Sequence, residues 1–133
     1  PWGFILFRRN TQSPEQVAAL TAELRETVGW QAPILIDQEG GRVQRMAPPH
    51  WPKYPPARAF LGINDPLQQR EIVRLSARLM AHDLRAVGID VDCLPVLDVP
   101  VAGSHDVIGD RAYAHEPDRV AQLGRAAAEG LLA

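Results

Sequence analysis

The stretch ILIDQEGGRVQR, residues 34–45, joins an apolar run directly to an aspartate, a glutamate, two glycines and two arginines. The run PILID (33–37) has the length and composition of a buried strand, so Asp37 is expected where that strand ends. Gly40 and Gly41 allow the backbone to turn sharply or to approach a ligand closely. The sequence therefore predicts a polar cluster at the carboxyl end of a buried strand.

Carboxylates and arginines that converge on a glycine turn suit a polyhydroxylated ligand. Asp37 can accept hydrogen bonds from hydroxyl groups, and Arg42 and Arg45 could return toward the same point and donate from a fixed fork. A structural Asp–Arg pair that closes a loop is the alternative. We do not interpret Asp37 and Glu39 as an acid/base pair, because such carboxyls must flank the bond about 5–10 Å apart.

Phosphate and metal sites fit the same stretch less well. EGGRVQR (39–45) contains neither glycine-rich phosphate motif, and its neighbouring carboxylates would repel a phosphate. The four histidines show no ligand spacing with one another or with Cys93: they are His50, His82, His105 and His115. We therefore expect no metal site.

Three strand–helix units are predicted from apolar runs and capping signals. The predicted strands are residues 3–7, 33–37 and 89–99. The predicted helices begin after Ser13, after Asp65 and near Pro117, and Gly29 and Gly88 end the first two. Residues 46–62 are too rich in proline for a helix or a central strand. The second helix is expected to bury one apolar stripe, formed by Val73, Ala77, Met80, Leu84 and Val87. A second set of apolar residues is expected to widen this stripe: Ile72, Leu75 and Leu79.

The βαβαβα order predicts an α/β fold with parallel strands and right-handed crossovers. Strand-to-helix links are long, about 28 residues after Asp37 and about 18 after Val99. Long loops at the carboxyl ends of parallel strands are where barrels and open α/β sheets build their sites. A complete barrel needs roughly 250 residues, so three units suggest a partial (β/α)8 TIM-type barrel, with a small open sheet as the alternative.

The third strand and the loop after it carry further candidates. Asp90 and Asp92 are expected to be solvated or paired with arginines, whereas Asp98 is expected on the site side. Arg111, within VIGDRAY (107–113), could reach the same pocket as Asp37 or could be an exposed loop arginine.

Composition excludes several classes of protein. The net charge of −2 gives no reason to expect nucleic acid or an anionic membrane as partner. No apolar run approaches the roughly 18 residues that span a bilayer. The single cysteine excludes an internal disulfide and suits a reducing compartment. Because the chain begins before a strand and stops within a helical pattern, we expect residues 1–133 to be a fragment of one domain.

Four blocks, GFILFRRN, LIDQEGGRVQRM, DVDCLPVLDV and VIGDRAY, resemble glycoside hydrolase family 3 in order and spacing. They look closest to the single-domain bacterial β-N-acetylglucosaminidases (β-hexosaminidases) of peptidoglycan recycling. The resemblance covers nearly the whole chain and implies the N-terminal part of a barrel. It implies a retaining glycosidase that acts on terminal β-linked N-acetylglucosamine of muropeptides, without metal or organic cofactor, in the cytoplasm and as a monomer.

By matching position, the resemblance implies that Asp37, Arg45 and Arg111 bind the sugar, with possible support from Asp98, Arg42 and Glu39. The family's nucleophile is an aspartate, and this subgroup's acid/base resembles a histidine on a mobile loop. Neither motif occurs within residues 1–133, so no catalytic residue is assigned in this chain. A family 3 β-glucosidase or xylosidase, and a carbohydrate-binding barrel without catalysis, remain as rival interpretations.

Overall fold

A computed structural model of the chain describes residues 1–103 and 105–133. In chain order its elements are β1 (Phe4–Leu6), α1 (Pro14–Val28), β2 (Ile34–Ile36), β3 (Gln38–Gly40), β4 (Val43–Gln44), α2 (Pro66–Ala86), β5 (Val91–Asp92) and α3 (Pro117–Leu131). Short 3-10 helices lie at Arg8–Asn10, Ala57–Gly62 and Gly109–Arg111. No helix of the described ranges is long and apolar enough to cross a bilayer.

The main sheet is parallel, as predicted, and its strand order is β1-β2-β5. Leu6 pairs with Ile36 of β2, and Ile36 pairs in turn with Asp92 of β5. This register places Asp37 and Cys93 one step beyond the carboxyl ends of adjacent strands. The three βα units thus deliver the polar segments that follow β2 and β5 to one edge of the sheet.

The predicted starts of α1 and α2 and the predicted end of α1 are confirmed by their capping contacts, whereas α2 ends at Ala86, two residues before the predicted Gly88. The Ser13 hydroxyl accepts a hydrogen bond from the Gln16 backbone amide, and Gly29 ends α1 with a φ of 73°. The Asp65 carboxylate accepts from two backbone amides in the first turn of α2. These local contacts satisfy amides that helix geometry leaves without partners.

Two apolar clusters hold the layers together. One lies between the sheet, α1 and α2 and contains Leu6, Val17, Ile34, Ile36, Met46, Trp51, Leu84, Val87 and Ile89. The other lies between α2, α3 and the segment before α2, with members Ala57, Phe60, Val73, Ala77, Tyr113, Leu123, Ala126 and Ala127. The predicted central stripe of α2 is therefore confirmed. Its predicted widening is wrong, because the side chains of one flank are exposed: Ile72, Leu75 and Leu79.

The third strand is shorter than predicted. Of residues 89–99 only Val91 and Asp92 pair in the sheet, because their partner β2 itself ends at Ile36. Pro95 also lacks the N–H that a ladder requires. The proline-rich segment 46–62 contains no α-helix or strand, as predicted, but ends in a 3-10 helix.

Candidate functional site

The turn of the hairpin β3–β4 requires its two glycines. Gly40 and Gly41 have φ values of 87° and 58°, which side chains other than glycine rarely adopt. A Cβ on Gly40 would overlap the Pro55 carbonyl oxygen, and one on Gly41 would lie 2.7 Å from the Pro56 Cβ. The Gly41 amide donates to the Tyr54 carbonyl at 2.9 Å. The hairpin is therefore pressed against the proline-rich segment.

Two buried glutamines fix the hairpin from inside. The Gln38 side-chain oxygen accepts from the backbone amides of Arg45 and Met46, both at 3.0 Å. Its amide nitrogen donates to the Met46 carbonyl at 2.9 Å. The Gln44 side chain donates to the Pro52 carbonyl and accepts from the Tyr54 amide. The backbone that carries Arg45 is thus held on both sides.

Asp37 and Arg45 meet directly. Arg45 Nη2 lies 2.6 Å from Asp37 Oδ2, and both side chains remain about a quarter exposed. The predicted convergence of these two residues is confirmed as a contact. Because the pair is partly accessible, its exposed polar atoms can exchange hydrogen bonds with a ligand, whereas Arg45 Nε is buried and has no partner among the described residues.

Glu39 and Arg111 form a second pair beside the first. Arg111 Nε and Nη2 donate to the two Glu39 carboxylate oxygens at 2.8 and 2.7 Å. The pKa of Arg111 is raised, first by this hydrogen bonding and further by the nearby charges of Asp98 and Asp37. The expectation that Arg111 comes to the same region as Asp37 is confirmed.

Arg42 does not join this cluster, so the prediction that it returns toward Asp37 is wrong. Its Nε donates to Asp110 at 3.1 Å, and its Nη2 donates to the carbonyls of Val107 and Ile108 at 2.7 and 3.0 Å. Arg42 ties the hairpin to the loop after β5 instead. Residue 42 lies in the turn between β3 and β4, where acceptors of that loop hold its guanidinium.

Arg58 is a residue that sequence reasoning missed. Its Nε and Nη2 donate to the carbonyls of Ala112 and Gly109, and its Nη1 lies 2.5 Å from His115 Nε2. Arg42 and Arg58 together hold the backbone on both sides of Arg111. The only sequence signal was an arginine within a proline-rich segment, which says nothing about its partners.

The carboxylates at the start of the third strand differ in their surroundings. Asp90 pairs with Arg25 at 3.2 Å and accepts from the Ile34 amide at 2.7 Å, so its predicted pairing is confirmed. Asp92 has no arginine: Oδ1 accepts from the Gln38 amide at 3.0 Å, and buried Oδ2 has no partner within the described ranges. Burial, and then the charges of Glu39 and Asp37, raise the pKa of Asp92 to about 7.

Two exposed residues complete the cluster. Cys93 lies beside Asp37, and partial burial of its thiol, followed by hydrogen bonding to that carboxylate, raises the pKa of the thiol. Asp98 is exposed, and its charge contributes to the raised pKa of Arg111, in line with the predicted position on the site side. No group of three or more possible metal ligands is found in residues 1–103 and 105–133.

A large cavity of about 740 Å³ lies elsewhere, along the free edge of β5. Apolar residues of three elements line much of it, including Leu84, Ile89, Val91, Leu94 and Leu131. None of Asp37, Glu39, Arg45 or Arg111 lines it. The polar cluster at the sheet's carboxyl edge is therefore separate from this cavity.

A parallel α/β unit with its polar cluster at the carboxyl ends of the strands is typical of barrel-type enzymes. The chain belongs to glycosyl hydrolase family 3, whose N terminal domain matches residues 3–133. It is 42% identical over 133 residues to a beta-hexosaminidase of Thiobacillus denitrificans, covering 97% of this chain and 36% of that protein. A beta-hexosaminidase of Methylococcus capsulatus is 43% identical over 129 residues, covering 97% and 37%. The chain thus spans a little over a third of these relatives' length.

Solved structures agree with this assignment. NagZ from Neisseria gonorrhoeae, in complex with N-trifluoroacetyl-D-glucosamine, matches with a TM-score of 0.90 and 36% identity, covering 98% of this chain and 39% of that one. A family 3 β-N-acetylglucosaminidase from Paenibacillus matches with a TM-score of 0.87 and 34% identity, covering 98% and 25%. The described strands and helices therefore have the arrangement of the N-terminal part of a family 3 barrel.

Proposed function

We propose that the full-length protein releases terminal, non-reducing β-linked N-acetylglucosamine, with retention of configuration and without a metal or organic cofactor. The observation that carries the proposal is the accessible Asp37–Arg45 pair beside Arg111 at the carboxyl edge of the sheet. Family membership and the names of the relatives, beta-hexosaminidase and NagZ, support the same substrate class.

In this proposal the three side chains hold the non-reducing sugar. Asp37 accepts hydrogen bonds from sugar hydroxyls, and Arg45 and Arg111 donate from their guanidinium groups. When the sugar is held in this way, its anomeric carbon faces a nucleophile from outside residues 1–133. The reaction between the two groups then becomes effectively unimolecular, which lowers its barrier. The contribution of this part of the chain is orientation, and the bond-breaking groups belong to other segments.

The finer features follow from the same proposal. The substrates are muropeptide fragments, the full-length protein is a monomer, and it works in the cytoplasm. Their support is the resemblance to the peptidoglycan-recycling subgroup, together with a composition that contains a single cysteine. Sedimentation of the full-length protein tests the monomer, and sugar release from purified muropeptides tests the substrate.

The proposal is tested by substrate choice and by one substitution. The full-length protein is expected to hydrolyse 4-nitrophenyl N-acetyl-β-D-glucosaminide well and the matching β-D-glucoside poorly. Asp37→Ala should lower kcat/KM at least about 100-fold, because sugar hydroxyls then lose a charged partner. The matched control is Asp118→Ala, which removes an exposed carboxylate from the first turn of α3 and should leave kcat/KM unchanged.

Each rival predicts a different result. Preference for the glucoside would assign the protein to the β-glucosidases or xylosidases. Sugar binding in calorimetry without hydrolysis would identify a non-catalytic carbohydrate-binding barrel. Normal kinetics in Asp37→Ala would remove Asp37 from the site.

A further inference from the structure

Glu39 is the most enclosed carboxylate of the cluster. The residue is only 8% exposed, and both of its carboxylate oxygens are used by Arg111. A buried carboxylate is costly unless a cation and hydrogen bonds compensate its lost hydration. The Arg111 guanidinium supplies both the cation and two hydrogen bonds, and the two parallel bonds fix the plane of the guanidinium group.

The pairing leaves one end of Arg111 available. Nε and Nη2 are taken by Glu39, and these are the side-chain hydrogen bonds that Arg111 makes within the described ranges, so Nη1 is left over. The charges of Asp37 and Asp98 lie close enough to raise the pKa of Arg111, so this guanidinium sits among the polar groups of the sheet edge. Nη1 is therefore the nitrogen that can donate to a ligand.

The backbone around Arg111 is fixed by other residues. Arg42 holds the carbonyls of Val107 and Ile108, and Arg58 holds those of Gly109 and Ala112. Loss of the Glu39 carboxylate would leave these contacts in place. The specific effect of Glu39 is therefore on the direction of the Arg111 side chain and not on the path of the loop.

We infer that Glu39 is a positioning residue that sets the direction in which Arg111 donates to the sugar, without touching the sugar itself. The inference rests on the proposed function. It gives the two carboxylates of Asp37-Gln38-Glu39 different tasks: Asp37 meets the ligand, and Glu39 acts through Arg111. Each carboxylate has its own arginine, so neither arginine has to leave its partner when the ligand arrives.

The test uses Glu39→Gln in the full-length protein, with KM and kcat for 4-nitrophenyl N-acetyl-β-D-glucosaminide as readouts. Glutamine keeps the shape but removes the charge and one acceptor, so KM should rise about 10-fold, the effect of one weakened charged hydrogen bond. Glu71→Gln is the matched control, because Glu71 holds Arg74 with the same two-bonded geometry on the exposed face of α2. Its KM and kcat should equal those of the wild type.

A double-mutant cycle separates positioning from a merely structural role. If Glu39 acts through Arg111, then adding Glu39→Gln to Arg111→Ala should change KM less than about 2-fold. A wild-type KM in Glu39→Gln, or an undiminished effect in the Arg111→Ala background, would overturn the inference. Should Glu39→Gln fail to fold, Glu39→Asp replaces it: the carboxylate is withdrawn by one methylene, KM should still rise, and a wild-type KM would overturn the inference.

The failure of this inference is distinguishable from that of the proposed function. A wild-type protein that hydrolyses the glucosaminide while Glu39→Gln behaves normally contradicts only the role of Glu39. A wild-type protein that neither hydrolyses the glucosaminide nor binds N-acetylglucosamine contradicts both.

Discussion

Replacement of Asp92 by asparagine should stabilise the protein, and more so at high pH. The Asp92 carboxyl is buried beside Glu39 and Asp37, and only one of its oxygens has a partner in the described part of the chain. Its pKa rises from 3.8 to about 7. Between these values the folded chain keeps a proton that the unfolded chain releases, so stability falls as pH rises through this window.

The size of the effect follows from the two pKa values. At pH values above about 8 the ionised carboxylate destabilises the folded wild type by at most about 4 kcal/mol, and at about pH 5 by about 1.5 kcal/mol. Asp92→Asn carries no such charge, and its side-chain oxygen can still accept from the Gln38 amide. Relative to the wild type, the variant should therefore gain up to about 2.5 kcal/mol between the two pH values.

Urea unfolding of the full-length protein at both pH values measures this difference directly. The cost of burying the new asparagine amide does not depend on pH, so it cancels from the difference between the two pH values. The matched control is Asp90→Asn, two positions before Asp92, where the carboxylate pairs with Arg25. Removal of its charge should cost about 1 kcal/mol or less and bring no gain at high pH. If the advantage of Asp92→Asn is the same at both pH values, the reasoning about Asp92 is wrong.

Three further predictions concern packing, the hairpin and the isolated chain. Gly130→Ala should destabilise the folded protein by about 1–3 kcal/mol, because the new Cβ would overlap a backbone carbonyl of α2. Gly62→Ala is the control and should be near neutral, because the space around Gly62 is open; equal effects of the two substitutions in urea unfolding would contradict this. Gln38→Ala should lower the free energy of unfolding by about 2 kcal/mol or more and also raise KM, since the buried side-chain amide holds the backbone of Arg45. An unchanged KM would show that the hairpin holds Arg45 without the Gln38 side chain. Residues 1–133 alone should self-associate, because β1 and β5 are open edge strands of the described sheet; a monomer in sedimentation with one sharp unfolding transition would refute this.

The helices were predictable because their boundaries depend on the nearest few residues. Ser13, Asp65 and Gly29 carry capping signals that act within one turn of the helix. The length of β5 was not predictable, because pairing depends on where a partner strand ends, and β2 ends at Ile36. The exposure of one flank of α2 was not predictable either, because it depends on the elements that pack against the helix. Helical spacing shows which residues share a face, but it does not show how wide a surface the neighbouring elements cover.

The site was predictable in its members and less so in its contacts. Position after a buried strand was enough to place Asp37, whereas the hairpin β3–β4 was missed because its flanking residues are polar and show no alternation. Their burial comes from the proline-rich segment and from Arg111, which are distant in sequence. The buried state of Asp92 was missed for a similar reason, since its neighbours Glu39 and Gln38 belong to another strand.

The two arginine pairs differ in the chain separation that they bridge, and this has a consequence for folding. Asp37 and Arg45 are 8 positions apart, whereas Glu39 and Arg111 are 72 apart, with α2 and β5 between them. Contacts across long separations form late, because the entropy of loop closure opposes them until the intervening elements are in place. During refolding we therefore expect far-UV circular dichroism to recover before N-acetylglucosamine binding does; simultaneous recovery would contradict this order. Under the proposed function, affinity for the sugar would then appear only after the strands and helices have formed.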